Sequence, residues 1–193
     1  MLLLYYALVL SFALPTVSDS PVSRTEDMIS ACKEIDQDDT QAASTSPAHA
    51  SNRFESYFDF THMTNAAIAP HVKKFSPEQI KRYRELFTEL IRLVAFPSSG
   101  KIFNTCQLEI GKSQIHGKVA QVPVTIAKPV EDINMDVVFH WHKNSEWHVT
   151  DVDFDGASLV KDYQNQFGRI ILKEGVDKLL EKLAKRLEEE RKK

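Results

Sequence analysis

The stretch Trp147-His148-Val149-Thr150-Asp151-Val152-Asp153-Phe154-Asp155-Gly156-Ala157-Ser158-Leu159-Val160-Lys161-Asp162-Tyr163-Gln164-Asn165-Gln166-Phe167 decides the fold. It reads as a strand, a glycine turn and an amphipathic helix. A second strand reading, Met135 to His142, lies just upstream, so the two make a hairpin. Pairing Trp141 with Val149 puts Val137, Phe139, Trp141, Trp147 and Val149 on one face and leaves Asn144-Ser145-Glu146 as the loop. A slip of one residue would mix Trp147 with His140 and His142, which burial disfavours.

Outward from this hairpin the chain reads as α+β. Ile102 to Ile110 and Val119 to Ala127 are two further strand readings, with Gly111 to Gly117 as a turn region between them. Before them, Ser76-Pro77-Glu78-Gln79 is a helix start with a serine cap, a proline in the first turn and a glutamine three residues after the cap. The helix it opens shows Ile80, Tyr83, Phe87, Leu90, Ile91 and Val94 on one face, and Pro97-Ser98-Ser99-Gly100 predicts its end. After Gly156, the stripe Leu159, Tyr163, Phe167, Ile170 and Ile171 predicts a helix, and Gly175 separates it from a last one carrying Val176, Leu179, Leu183 and Leu187. The expected architecture is a curved antiparallel sheet of about four strands packed against several helices, with an apolar cavity between them.

The 193 residues suffice for one ordinary domain, and 42% hydrophobic with 26% charged residues is a globular composition. A net charge of −3 gives no basic excess, so nucleic acid is not expected as a partner. Leu2 to Leu14 is an uncharged, mostly apolar run of signal-peptide length, too short to span a bilayer, although no Lys or Arg precedes it. Residues 1–18 are therefore expected to be a signal peptide and 19–52 a flexible arm, with a short helix over Met28 to Ile35 and a linker from Asp38 to Asn52. The domain is expected over 53–187, followed by a charged tail, 188–193. In an exported protein, Cys32 and Cys106 can pair and tie the arm to the domain.

Chemistry-bearing residues fall on the wrong side for catalysis. The hairpin register turns His140, His142 and His148 outward, with no fourth ligand to complete a zinc site. Asp151 and Asp153 face the same way and read as solvated or helix-capping groups. Ser158 lacks the glycines of a nucleophile elbow and reads as a helix cap. No catalytic residue, metal or cofactor is expected. The surplus is apolar and aromatic: Phe58, Phe60, Phe87, Phe139, Trp141, Trp147, Phe154, Tyr163 and Phe167 suit either a packed core or a cavity wall.

The segment Trp147, Val149, Asp151, Val152, Gly156, Ser158, Leu159, Tyr163, Gln166 and Phe167 resembles the MlaC family of periplasmic phospholipid-binding proteins. Asp59-Phe60 with Met63, Ser76 to Gln79 with Phe87, and Gly175 to Leu179 extend the resemblance in the family's order. The chain departs from the family's usual Gly and Trp at Ala69 and Val72, and matches it poorly from Ala95 to Ala120. The resemblance implies a non-enzymatic carrier in the periplasm. Such a carrier binds a glycerophospholipid by its acyl chains and passes it between an outer-membrane lipoprotein complex and an inner-membrane ABC transporter, which contributes to outer-membrane lipid asymmetry. Facing and alternation then predict that Phe87, Leu90, Val122, Val124, Val137, Phe139, Val149, Val152, Phe154, Tyr163 and Phe167 line the lipid cavity or its floor. The alternative is a small α+β enzyme of the NTF2-like kind, which needs an inward-facing Asp or His.

Overall fold

The computed structural model describes residues 19–36, 47–131 and 133–192. The signal-peptide reading, residues 1–18, and most of the expected linker lie outside them. The described elements are α1 (Pro21–Asp36), α2 (Pro47–Glu55), α3 (Phe60–Ile68), a 3-10 turn (Ala69–Lys74), α4 (Pro77–Thr105), β1 (Gln107–Ile110), β2 (Gln114–His116), β3 (Val119–Lys128), β4 (Ile133–Lys143), β5 (Trp147–Phe154), β6 (Ala157–Ser158), α5 (Leu159–Glu174) and α6 (Val176–Glu190). The strands form one antiparallel sheet in the order β1-β3-β4-β5-β6, with β2 pairing β3 beside β1.

Alternation sets the sheet's two faces. Ala120, Val122, Val124 and Ile126 of β3 are buried, and so are Val137, Phe139 and Trp141 of β4. Trp141 pairs with Val149 and Lys143 with Trp147, the register that burial of the two tryptophans demands. Between His140 and Trp141 the register shifts: His140 pairs with Asp151, so Thr150 is an extra residue in β5. This bulge lets Val149 and Val152, three positions apart, both point inward, where they are 0% and 5% exposed. A regular strand would have turned Val152 outward. Asp155 (φ 48°) and Gly156 (φ 82°) then make the tight turn into β6, both in the left-handed region such two-residue loops require.

Two helix boundaries differ from expectation. α4 does not end at Pro97-Ser98-Ser99-Gly100 but runs to Thr105, so the expected strand from Ile102 starts only at Gln107. Burial of Phe103 against the sheet outweighs the local stop signals. The capping box at its start is present: Gln79 N donates to Ser76 Oγ at 3.2 Å, and Ser76 N donates to Gln79 Oε1 at 2.9 Å.

The expected flexible arm also needs correction. Residues 21–36 form α1, whose Met28, Ala31 and Cys32 are fully buried against the inner sheet face. A run of polar residues hid this, because only one helix face needs to be apolar. The end of the expected linker is α2, tied to α1 by Arg53 Nη1 at 2.8 Å from Glu34. The folded unit thus begins well before Arg53. Cys32 is buried and Cys106 half-buried, and no disulfide joins them.

The helices divide the interior. α1, α2 and the end of α4 cover the inner sheet face. α3, the first half of α4, α5 and α6 build a second core around Tyr83, Phe87, Phe167 and Leu179. α4 serves both.

Candidate functional site

Between the two cores lies a narrow apolar cavity. The sheet supplies Ile126, Met135, Val137, Phe139, Val152 and Phe154, and the helical side supplies Phe54, Phe58, Met63, Ile91, Ile102, Phe103 and Leu159. Among the described residues, Ser99 is the single polar side chain on its wall. Phe154 and Ile102 are 41% and 36% exposed and mark the mouth. The cavity holds about 90 Å³, well under the ~300–1,000 Å³ of ordinary small-molecule pockets.

The eleven residues expected at one cavity are divided by the structure. Val137, Phe139, Val152 and Phe154 stand on its wall. Val122, Val124 and Val149 lie on the same inner face but are sealed in the sheet core, each no more than 1% exposed. Phe87, Leu90, Tyr163 and Phe167 belong to the helical core instead. There Phe87 meets Tyr163 and Phe167 edge-on at centroid distances of 4.6 and 5.0 Å. Tyr83 completes the cluster and donates its hydroxyl to Thr64 O at 3.1 Å; burial, with Tyr163 nearby, pushes its ionisation far above the usual range. The sequence offered a signal for two wall residues that were missed: Ile126 and Met135 pair across β3 and β4 on the face of Val124 and Val137. Ile102 and Phe103 were missed because they were read as strand.

The outer sheet face is polar, as the register required. His142 pairs with His148, and His62 stacks on His142 at 6.3 Å. His140 Nε2 sits 2.8 Å from Asp153 Oδ2. Among the described residues, no group of three or more His, Cys, Asp and Glu is placed to hold a metal ion. A broader cleft of about 580 Å³ runs past His62, His116, Gln121, His140 and Asp151. Its lining mixes these polar groups with Ala66, Val119 and Val160, and its walls are open.

Asp151 does structural work here. Its Oδ1 accepts from Val152 N at 2.8 Å and Val160 N at 3.0 Å, and its Oδ2 accepts the Ser158 hydroxyl at 2.5 Å. Ser158 Oγ in turn accepts from Lys161 N at 3.0 Å as the cap of α5. Both residues therefore fix the β5–α5 corner that closes the cavity through Leu159. Replacing Asp151 with Ala should cost about 1–2 kcal/mol, by analogy with lost helix caps, and lower the melting temperature by about 2–8 °C. Calorimetry showing no change would contradict this role.

The family model described as MlaC protein matches residues 23–185. This chain belongs to the MlaC family. The match begins inside α1, so the MlaC unit includes the helix that the sequence reading left in the arm. Among solved structures, the chain is similar to the phospholipid-binding protein from Ralstonia solanacearum in complex with a phospholipid. The two share 17% sequence identity and a TM-score of 0.67, covering 88% of this chain and 95% of that one. The MlaC-type fold, an α+β arrangement with an open antiparallel sheet, is common to both. No helix among the described residues is long and apolar enough to cross a membrane.

Proposed function

We propose that this MlaC-family chain is a phospholipid carrier that shelters acyl chains between the inner sheet face and α2, α3 and α4. The observation that carries this reading is the composition of the cavity wall: among the described residues, thirteen apolar side chains and Ser99, with no ionisable group. Such a wall can desolvate hydrocarbon, and among the described residues it sets no acid or base beside the Ser99 hydroxyl. The NTF2-like enzyme reading requires an inward Asp or His, and none of these lines the cavity. The phospholipid bound by the similar Ralstonia solanacearum protein supports the ligand class.

The energetics fit a shuttle. Each methylene taken out of water is worth ~0.8 kcal/mol, so a fourteen-carbon chain carried in water needs roughly 11 kcal/mol of shelter. A dry wall supplies this without polar anchors that would hold the lipid too tightly for release. The head group, with no charged partner among the described wall residues, stays outside. In this reading the chain works in the periplasm after export, taking lipid between an outer-membrane lipoprotein complex and an inner-membrane ABC transporter.

Native mass spectrometry of protein purified without detergent tests the carrier reading. A phospholipid mass on the folded protein is expected. Protein that is wholly lipid-free, and that stays so after mixing with phospholipid vesicles, would overturn it.

A further inference from the structure

The cavity, at about 90 Å³, is too small for an acyl chain, so a loaded state requires one wall to move. Within the sheet side the strands are tied to one another, every residue of β3 having a partner on β4. The opposite wall includes a short connection, residues 54–60, that places Phe54 and Phe58 against the cavity. Its backbone meets the sheet at Val149 alone: Val149 N donates to Tyr57 O at 2.7 Å and Asp59 N donates to Val149 O at 2.9 Å. The Thr150 bulge follows at once. Both ends of the connection are anchored, by Arg53 to Glu34 at 2.8 Å and by Asp59 Oδ1, which accepts from His62 N at 2.8 Å.

Arg92 of α4 reaches this segment near each end. Its Nη2 is 2.7 Å from Glu55 Oε2, and its guanidinium lies over the Phe60 ring at 5.6 Å. Its Nη1 is also 3.8 Å from Glu89 Oε2, one turn back on the same helix. Its Nε is buried with no hydrogen-bond partner, so a donor remains to be satisfied. Glu89 otherwise meets Arg191 at 3.4 Å.

We propose that residues 54–60 are a strap that lifts to admit an acyl chain, with Arg92 passing from Glu55 on the strap to Glu89 on its own helix. The proposal rests on the carrier reading. Lifting breaks the two Val149 hydrogen bonds and uncovers part of Tyr57, while Phe54 and Phe58 exchange protein neighbours for hydrocarbon. The charge on Arg92 keeps a carboxylate partner in both states, which avoids leaving it unpaired. Arg24, 4.9 Å over the Tyr57 ring, adds a hold that the variants below leave intact.

The test uses two variants of the full chain, Glu55→Gln and Glu89→Gln, each checked for an unchanged circular dichroism spectrum. The readout is the rate at which the protein takes up a self-quenched fluorescent phosphatidylethanolamine from phosphatidylethanolamine–phosphatidylglycerol vesicles. Removing Glu55 weakens the closed state and should speed uptake by about two- to fivefold, the scale of one partly exposed ion pair. Removing Glu89 weakens the open state and should slow it by about twofold. Opposite signs from two neutralised partners of one arginine are not expected of general destabilisation. Rates that move in the same direction, or that do not move, overturn the strap. Failure of the unmodified protein to take up any lipid sinks the carrier reading itself.

Discussion

Phe154→Asp is expected to strip the protein of co-purifying phospholipid and to leave it folded. Phe154 lines the cavity at its mouth and is 41% exposed. An aspartate there can remain hydrated while the cavity is empty, so folding loses only part of one phenyl ring's burial. An entering acyl chain would strip water from the carboxylate, at a cost of several kcal/mol. A carrier that exchanges lipid with membranes operates near balance, so even ~3 kcal/mol lowers occupancy by about two orders of magnitude. Phospholipid quantified by mass spectrometry, alongside a melting curve, provides the measurement. Full lipid content in a folded Phe154→Asp variant would remove the cavity assignment. Phe154→Leu, which keeps the mouth apolar, should retain lipid.

Phe87→Ala is expected to act in the opposite way, on stability and not on cargo. Phe87 is 2% exposed and meets three aromatic rings: Tyr83, Tyr163 and Phe167. Truncating it leaves a void in the helical core and should cost about 3–5 kcal/mol. The melting temperature should fall by roughly 6–20 °C for a chain of this size. At temperatures well below that transition the variant should still carry phospholipid, because Phe87 is not on the cavity wall, to which its core contributes Ile91. A variant that melts normally but loses its lipid would place Phe87 at the binding site after all.

These two residues show how far the sequence could be read. Both were assigned to one cavity because both are large, apolar and inward-facing. Composition cannot separate a core from a cavity wall. What separates them is which helix covers which part of the sheet, and that depends on α4 running on to Thr105. Its continuation was not legible, since Pro97 and Gly100 are local stop signals and the burial of Phe103 that overrides them is a long-range effect. By contrast, the hairpin register was legible, because Trp141 and Trp147 leave only one economical pairing. The caps at Ser76 and Ser158 were legible too, since they follow from hydrogen bonds within a few residues. The packing of α1 was not: its apolar positions could be read as a helix, but not the surface they would cover.

The bulge at Thr150 has a consequence for what kind of sequence change the fold can absorb. On one side of it the odd-numbered positions of β5, Trp147 and Val149, are inward; on the other side the even-numbered ones, Val152 and Phe154, are. Asp151 is thereby free to hold the corner of α5 while its neighbour lines the slot. Thr150 stands out of the ladder, its hydroxyl donating to His140 O at 3.3 Å, and with eight residues in β5 the facing of both halves depends on that break. Were all eight residues of β5 laddered regularly, without the bulge, the second half of the strand would exchange parity and present Asp151 and Asp153 to the hydrocarbon. The apolar character of the slot is thus encoded partly in where the ladder breaks, a property that no comparison of side chains position by position would disclose.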